Sequence, residues 1–318
     1  MFTQSFKITA LGVAQIVTLG AVGYFLVKGK ILKEEGVTAL SRVVVYVTLP
    51  ALIFCQLIKN FSFHVYKDWW FFPLLSIGIT AVGFIVGKIC AAFVAPGKTR
   101  VQFISLVMFQ NSGYLPLALI SALLPAEKAD TMLIYLFLLL LGFNLLVWSL
   151  GSYMLSAAGA RKFSWSAVIS PPVVATLLGL GVVLLGGQRF FPEVVYKPLK
   201  MLGDCTITLA LFVVGGNLAQ ISLKAVDKKA ITLLVFAKLI ALPLLGLFFL
   251  LHLRVPELLG LLILMELAVP SATSLSVIVR HHDREDLFIS QGIFFTHLVS
   301  LVTLPLFLSL YFSHIMLQ

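Results

Sequence analysis

Charge is what this sequence lacks most. Only 11% of its 318 residues are Asp, Glu, Lys or Arg, against 60% hydrophobic residues and a mean hydropathy of +1.06. A chain so poor in charge cannot clothe a soluble domain of that size, so the composition describes a polytopic membrane protein. Cysteine is scarce as well. Cys55, Cys90 and Cys205 stand in or near apolar stretches without metal-ligand spacing and read as small buried residues. No complete G-x4-G-K-S/T phosphate loop and no HExxH motif occurs, which leaves ATP-driven and zinc-hydrolytic chemistry without support. No loop carries a basic stripe interleaved with aromatics, so the net charge of +10 is no nucleic-acid footprint. The expectation is a protein that is not an enzyme and has no cofactor.

What fills the chain is a series of apolar blocks, each about as long as a helix needs to cross about 30 Å of hydrocarbon. Ten spans are expected, near 6–28, 36–58, 69–94, 98–124, 129–156, 165–187, 195–219, 229–252, 256–281 and 285–315. The first is longer than a signal-peptide core and reads as a retained helix. Basic residues collect in the odd-numbered connections: Lys28, Lys30 and Lys33; Lys98 and Arg100; Arg161 and Lys162; Lys224, Lys228 and Lys229; Arg280 and Arg284. The even-numbered ones hold fewer, namely Lys59, Lys67, Lys128, Arg189, Lys197 and Arg254. Positive charge stays on the cytoplasmic side, so this bias places both termini on the non-cytoplasmic face.

Ten spans divide into halves, 1–158 and 159–318, with shared landmarks. "VTLPALIF" (47–54) is weakly echoed by "ITLALFVV" (207–214), and the fourth and ninth spans are both interrupted about halfway, by "QNSGYLP" (110–116) and "AVPSATS" (268–274). An odd number of spans per half forces the halves into opposite orientations, the arrangement of an inverted repeat. Proline removes a backbone donor and disfavours α geometry in the residue before it, so Leu115-Pro116 and Val269-Pro270 are expected unwinding points. Freed backbone groups in hydrocarbon need partners, which implies a cavity at the breaks. Pro116 and Pro270 are also placed to begin new half-helices, whose N-termini would favour an anion between them. Asn111, Ser112, Gly113, Tyr114 and Pro116, with Val269, Pro270, Ser271 and Ala272, are the candidate binding residues for a small solute. A plain proline kink is the competing reading for either break alone.

Acidic side chains at mid-membrane are functional candidates by default. Glu266 stands one turn before Pro270 and could hold Na⁺ beside unwound carbonyls, or exchange a proton. Asp204, with Thr206 and Thr208 beside it, is a second ion-coupling candidate in the seventh span. Lys238 is the clearest internal cation: it could bind a substrate carboxylate, pair with an acid, or snorkel to the cytoplasm. His297 is a proton-relay candidate, while Asn144, Asn217 and Thr296 suit interhelical hydrogen bonds. "RHHDREDL" (280–287) matches no zinc pattern and reads as a solvated loop.

The chain resembles the compact bacterial members of the auxin efflux carrier family, which include malonate and other organic-acid permeases. The resemblance rests on "LPALIF" (49–54), "NSGYLPLAL" (111–119), "SPPVVATLLGL" (170–180), "LALFVVGGNLA" (209–219), "AKLIALPLLGL" (237–247), "VPSATS" (269–274) and "VSLVTLPLFLSL" (299–310). It implies two inverted five-helix repeats with broken, crossing helices 4 and 9, elevator-like alternating access, a homodimer and both termini outside the cytoplasm. Similarity to the more distant bile-acid sodium symporters implies a coupling ion at Glu266, with Asn111, Ser112 and the carbonyl of Ala268 as co-ligands, without choosing between Na⁺ and H⁺. Two departures matter. The long hydrophilic loop of plant members is reduced to about a dozen residues around "SAAGARKFSW", and Val269 and Ser271 flank the ninth-span proline where plant members have asparagines. The second departure argues against auxin itself as substrate. The expected function is secondary transport of a small organic anion, such as malonate or malate, across the cytoplasmic membrane. A sodium-coupled symporter of a bulkier hydrophobic acid and a non-transporting membrane receptor are the rivals.

Overall fold

A computed structural model describes residues 2–156, 169–281 and 287–316. The connection between the halves and most of the 280–287 cluster lie outside the described residues. All regular elements among the described residues are helical. They are α1 (Phe2–Lys28), α2 (Glu34–Asn60), α3 (Phe71–Phe93), α4 (Lys98–Met108), α5 (Tyr114–Leu123), α6 (Ala126–Leu155), α7 (Pro171–Leu184), α8 (Glu193–Ala219), α9 (Lys228–His252), α10 (Glu257–Ala268), α11 (Ser274–His281) and α12 (Leu287–His314). Seven of these, α1, α2, α3, α6, α8, α9 and α12, are long and apolar enough to cross a membrane. The fourth and ninth sequence spans appear instead as the interrupted pairs α4/α5 and α10/α11, and the sixth as the shorter α7.

Two helices carry a widened turn for a reason visible in sequence. Pro50 in α2 and Pro243 in α9 each follow a π-helical turn, Val44–Thr48 and Ala237–Ala241. A proline ring clashes with the carbonyl four residues earlier, here Tyr46 and Leu239, and the turn opens to relieve it. The second of these turns carries Lys238.

The helices pack in two groups. α1 lies along the second half of α8, α7 lies along the second half of α2, and α2 also touches the first half of α8. The other group joins α3 to α4 and α6, and α10 to α9 and α12, with α1 reaching α5 and α12 across the boundary. Ile8, Leu11 and Phe25 of α1, Leu177 and Leu178 of α7, and Leu298 and Val302 of α12 are exposed, as lipid-facing positions should be.

Small residues set the α1–α8 distance. A Cβ on Gly215 would overlap the Gly20 carbonyl, and one on Gly23 would lie 2.7 Å from the Phe212 Cα. Backbones this close gain van der Waals contact that substitutes for the missing hydrophobic drive in lipid. Gly215→Val should therefore force the pair apart and lower stability by about 1–3 kcal/mol, read as a drop in the thermal unfolding midpoint of the purified protein.

Candidate functional site

The two breaks meet. α4 ends at Met108 and the chain turns extended at Phe109; α10 ends at Ala268 and turns extended at Val269. Gln110 and Ser271 then form an antiparallel bridge, flanked by Asn111 N–H donating to the Pro270 carbonyl at 2.9 Å and Ala272 N–H donating to the Phe109 carbonyl at 3.0 Å. Each unwound segment thus supplies hydrogen bonds the other has lost, which is how extended backbone survives at membrane depth.

The prolines do not stand where helix-start statistics put them. α11 begins at Ser274, so Pro270 lies in the extended segment four residues earlier. There its carbonyl serves Asn111, and the ladder bond its missing N–H would have made is simply absent. Pro116 is the third residue of α5, still within the first turn, where no intrahelical donor is needed. Gly113 caps that helix and Tyr114 begins it.

The cut end of α4 leaves carbonyls that must be answered. Phe109 N–H bonds Ser105, Ser271 Oγ donates to Leu106 at 2.7 Å, and Lys238 Nζ donates to Val107 at 3.0 Å. Lys238 is only 1% exposed, so it does not snorkel. A cation at a helix C-terminus also matches the negative end of the helix dipole.

Within electrostatic reach of it is the carboxyl of Glu266, and the imidazole of His297 lies against Asn111. Ser112 Oγ donates to Glu266 Oε2 at 2.6 Å, while Oε1 has no hydrogen-bond partner. Lys238 and Glu266 are close enough to interact electrostatically, yet no ion pair among the described residues joins them. His297 Nδ1 lies 2.8 Å from the Ile293 carbonyl, which can only accept, so Nδ1 carries the proton. Its Nε2 lies 3.1 Å from Asn111 Nδ2 and accepts from it. Thr296 adds a hydroxyl 3.3 Å from the Ser271 N–H. The crossing therefore unites residues of α4, α9, α10 and α12 with the unwound segments 109–113 and 269–273.

Sequence reasoning missed Gln110. It is buried beside Glu266, but neither its Nε2 nor Glu266 Oε1 makes a hydrogen bond of sound geometry. The run of three polar residues, 110–112, was the available signal. The expected cavity at the breaks is a closed arrangement here: Asn111, Ser112, Ser271, Glu266 and His297 are all 5% exposed or less, and protein groups answer the freed backbone.

Asp204 is not part of this cluster. It lies in α8, half exposed, paired with Lys200 at 2.6 Å. With Cys55, Gln56, Lys59, Asp130 and Tyr196 it lines a separate cavity of about 170 Å³ between α2, α8 and the start of α6. Gln56 Nε2 donates to Asp130 at 3.2 Å there, joining the two helix groups.

Described elements that are all helical, seven of them long and apolar enough to cross a membrane, and a polar crossing of two broken helices have the makings of a multi-pass membrane transport protein. Comparison with known proteins agrees: the chain belongs to the auxin efflux carrier family, whose model, described as "Membrane transport protein", matches residues 9–162 and 156–308. Protein PIN-LIKES 6 of Arabidopsis thaliana is 32% identical over 120 residues, which cover 37% of this chain and 28% of the plant protein. An uncharacterized transporter of Methanocaldococcus jannaschii is 26% identical over 225 residues, covering 66% of this chain and 68% of the archaeal one. Protein PIN-LIKES 1 of Arabidopsis thaliana is 22% identical over 304 residues, covering 76% of this chain and 64% of that protein.

Proposed function

We propose that this protein is a secondary transporter of a small organic anion, with a dicarboxylate such as malonate or malate as the leading substrate, acting in the cytoplasmic membrane. The observation that carries this reading is the bridge between Gln110 and Ser271, because it brings two helix N-termini, at Tyr114 and Ser274, to one crossing. Helix N-termini carry partial positive charge and free N–H groups, which favour carboxylate. Opening of the crossing would expose Asn111, Ser112, Gly113, Ser271 and Ala272 to such a solute. Lys238 adds a buried amine donor behind them.

Alternating access in this reading is a displacement of the group holding the crossing against the group of α1, α2, α7 and α8. Ten spans in two inverted repeats, 1–158 and 159–318, complete the scheme, with both termini on the non-cytoplasmic side and a homodimer as the assembly. The reciprocal packing of α1 on α8 and α7 on α2 supports the repeat, since each half lends its first helix to the second helix of the other.

Uptake of radiolabelled malonate and malate into proteoliposomes, under imposed Na⁺ or H⁺ gradients or none, tests the proposal. Accumulation above protein-free vesicles is the expected result. Uptake only of bulkier hydrophobic acids would favour the rival substrate class. Saturable binding without flux would instead identify a receptor.

A further inference from the structure

Lys238 and Glu266 are the only Lys, Arg, Asp or Glu side chains buried among the described residues, and both stand at the crossing. Likeness to sodium symporters directs attention to a Na⁺ held by Glu266, Asn111 and the Ala268 carbonyl. The residues present do not fit that ion. Asn111 directs its amide nitrogen to His297 Nε2, and one Glu266 oxygen is taken by Ser112. Most directly, the carbonyl of Val107 at the cut end of α4, the type of oxygen that unwound helices offer to a coupling cation, already holds the Lys238 ammonium at 3.0 Å. A sodium ion added here would set a second cation against a single carboxylate, in an interior where charge is costly unless paired.

We infer that Lys238 is a tethered substitute for a coupling metal cation, so that the crossing is built to work without bound Na⁺. The inference rests on the carrier reading above only in calling the site a transport site; the occupancy of the cation position is independent of the substrate. The π-turn at Ala237–Ala241 is what delivers the ammonium. It places Lys238 inward, fully enclosed, rather than along a lipid-facing surface. The carboxyl of Glu266, within electrostatic reach of the ammonium though not in contact with it, is the counter-charge. Removing the ammonium should therefore create a vacant site with a buried carboxylate and a helix-end carbonyl, which a soluble monovalent cation can enter.

The test is the thermal unfolding midpoint of the purified full-length protein in sodium, potassium, choline and methylammonium chloride at equal ionic strength. Ligands that bind only the folded state raise the midpoint. The wild type should show the same midpoint in all four salts. Lys238→Ala should unfold at lower temperature in choline and regain at least about 2 °C in sodium or methylammonium. Lys238→Met, which fills the space, should be destabilised without recovering in any salt. Sodium-specific stabilisation of the wild type would overturn the inference, as would a Lys238→Ala variant as stable as the wild type and indifferent to cations. Should the alanine variant not fold, the wild-type series still decides. Failure of malonate and malate uptake alongside the expected midpoints would remove the substrate assignment and leave this inference standing.

Discussion

Glu266→Gln is expected to cut gradient-driven uptake sharply while leaving a folded, membrane-inserted protein. Glutamine keeps the size of the side chain and an oxygen for Ser112 Oγ, now 2.6 Å from the carboxyl, so local packing survives. What disappears is the charge that balances Lys238 inside the crossing. Breaking a buried ion pair by removing one partner costs about 3–5 kcal/mol when the two are in contact. Here they are near but not joined, and a loss of about 1–3 kcal/mol is the expected scale. Flux should fall by about a hundredfold, corresponding to about 2.7 kcal/mol at the rate-limiting step. Glu266→Asp, which keeps the charge, should retain part of the flux. Equal uptake by Glu266→Gln and wild type, at equal reconstitution, would remove Glu266 from the transport machinery.

Ala272→Pro should be the most damaging single change to the backbone bridge. Its N–H holds the Phe109 carbonyl at 3.0 Å and is one of the two bonds flanking the Gln110–Ser271 bridge. Proline deletes that donor and leaves a buried acceptor unpaired, at about 1–3 kcal/mol. The two breaks would then be held by the Asn111 N–H to Pro270 bond alone on the backbone side. Uptake should drop at least about tenfold, and trypsin sensitivity of the folded protein should rise. Ala272→Ser keeps the N–H and serves as the control. Both variants behaving alike would show that the backbone bridge does not support transport.

The neighbouring proline makes the converse point. Pro270 cannot donate, so its pairing with Asn111 runs through a single bond. In the proposed mechanism the crossing opens during transport, and such incomplete pairing lowers the cost of that opening. It is closed here by few backbone bonds and by side chains that can change partners: Ser112, Ser271, Asn111 and His297.

Much of this was written in the linear sequence. The scarcity of charge and the length of the apolar blocks forced a helical membrane protein, because a helix satisfies its own backbone in hydrocarbon. The breaks were legible as clusters of turn-forming residues and prolines inside runs too apolar to be loops. Glu266, Lys238 and His297 stood out because charge and polarity at that depth need a reason. Pro50 and Pro243 could have announced the widened turns before them. The location of each helix start was less legible, since Pro116 and Pro270 stand where the hydrogen-bond needs of the crossing allow a missing donor rather than at the first helical position.

Tertiary structure alone decided who meets whom. Nothing local pairs Gln110 with Ser271, gives the Val107 carbonyl to Lys238, or turns Asn111 to His297, because these partners lie far apart along the chain. The same holds for Asp204, which resembled Glu266 as an acid in an apolar span yet faces Lys200 in a separate, half-exposed cavity. Sequence determines which residues cannot be left alone in hydrocarbon; only packing determines which neighbour satisfies them. That selection is a long-range matter, because a buried polar group accepts whichever partner the surrounding helices bring within about 3 Å.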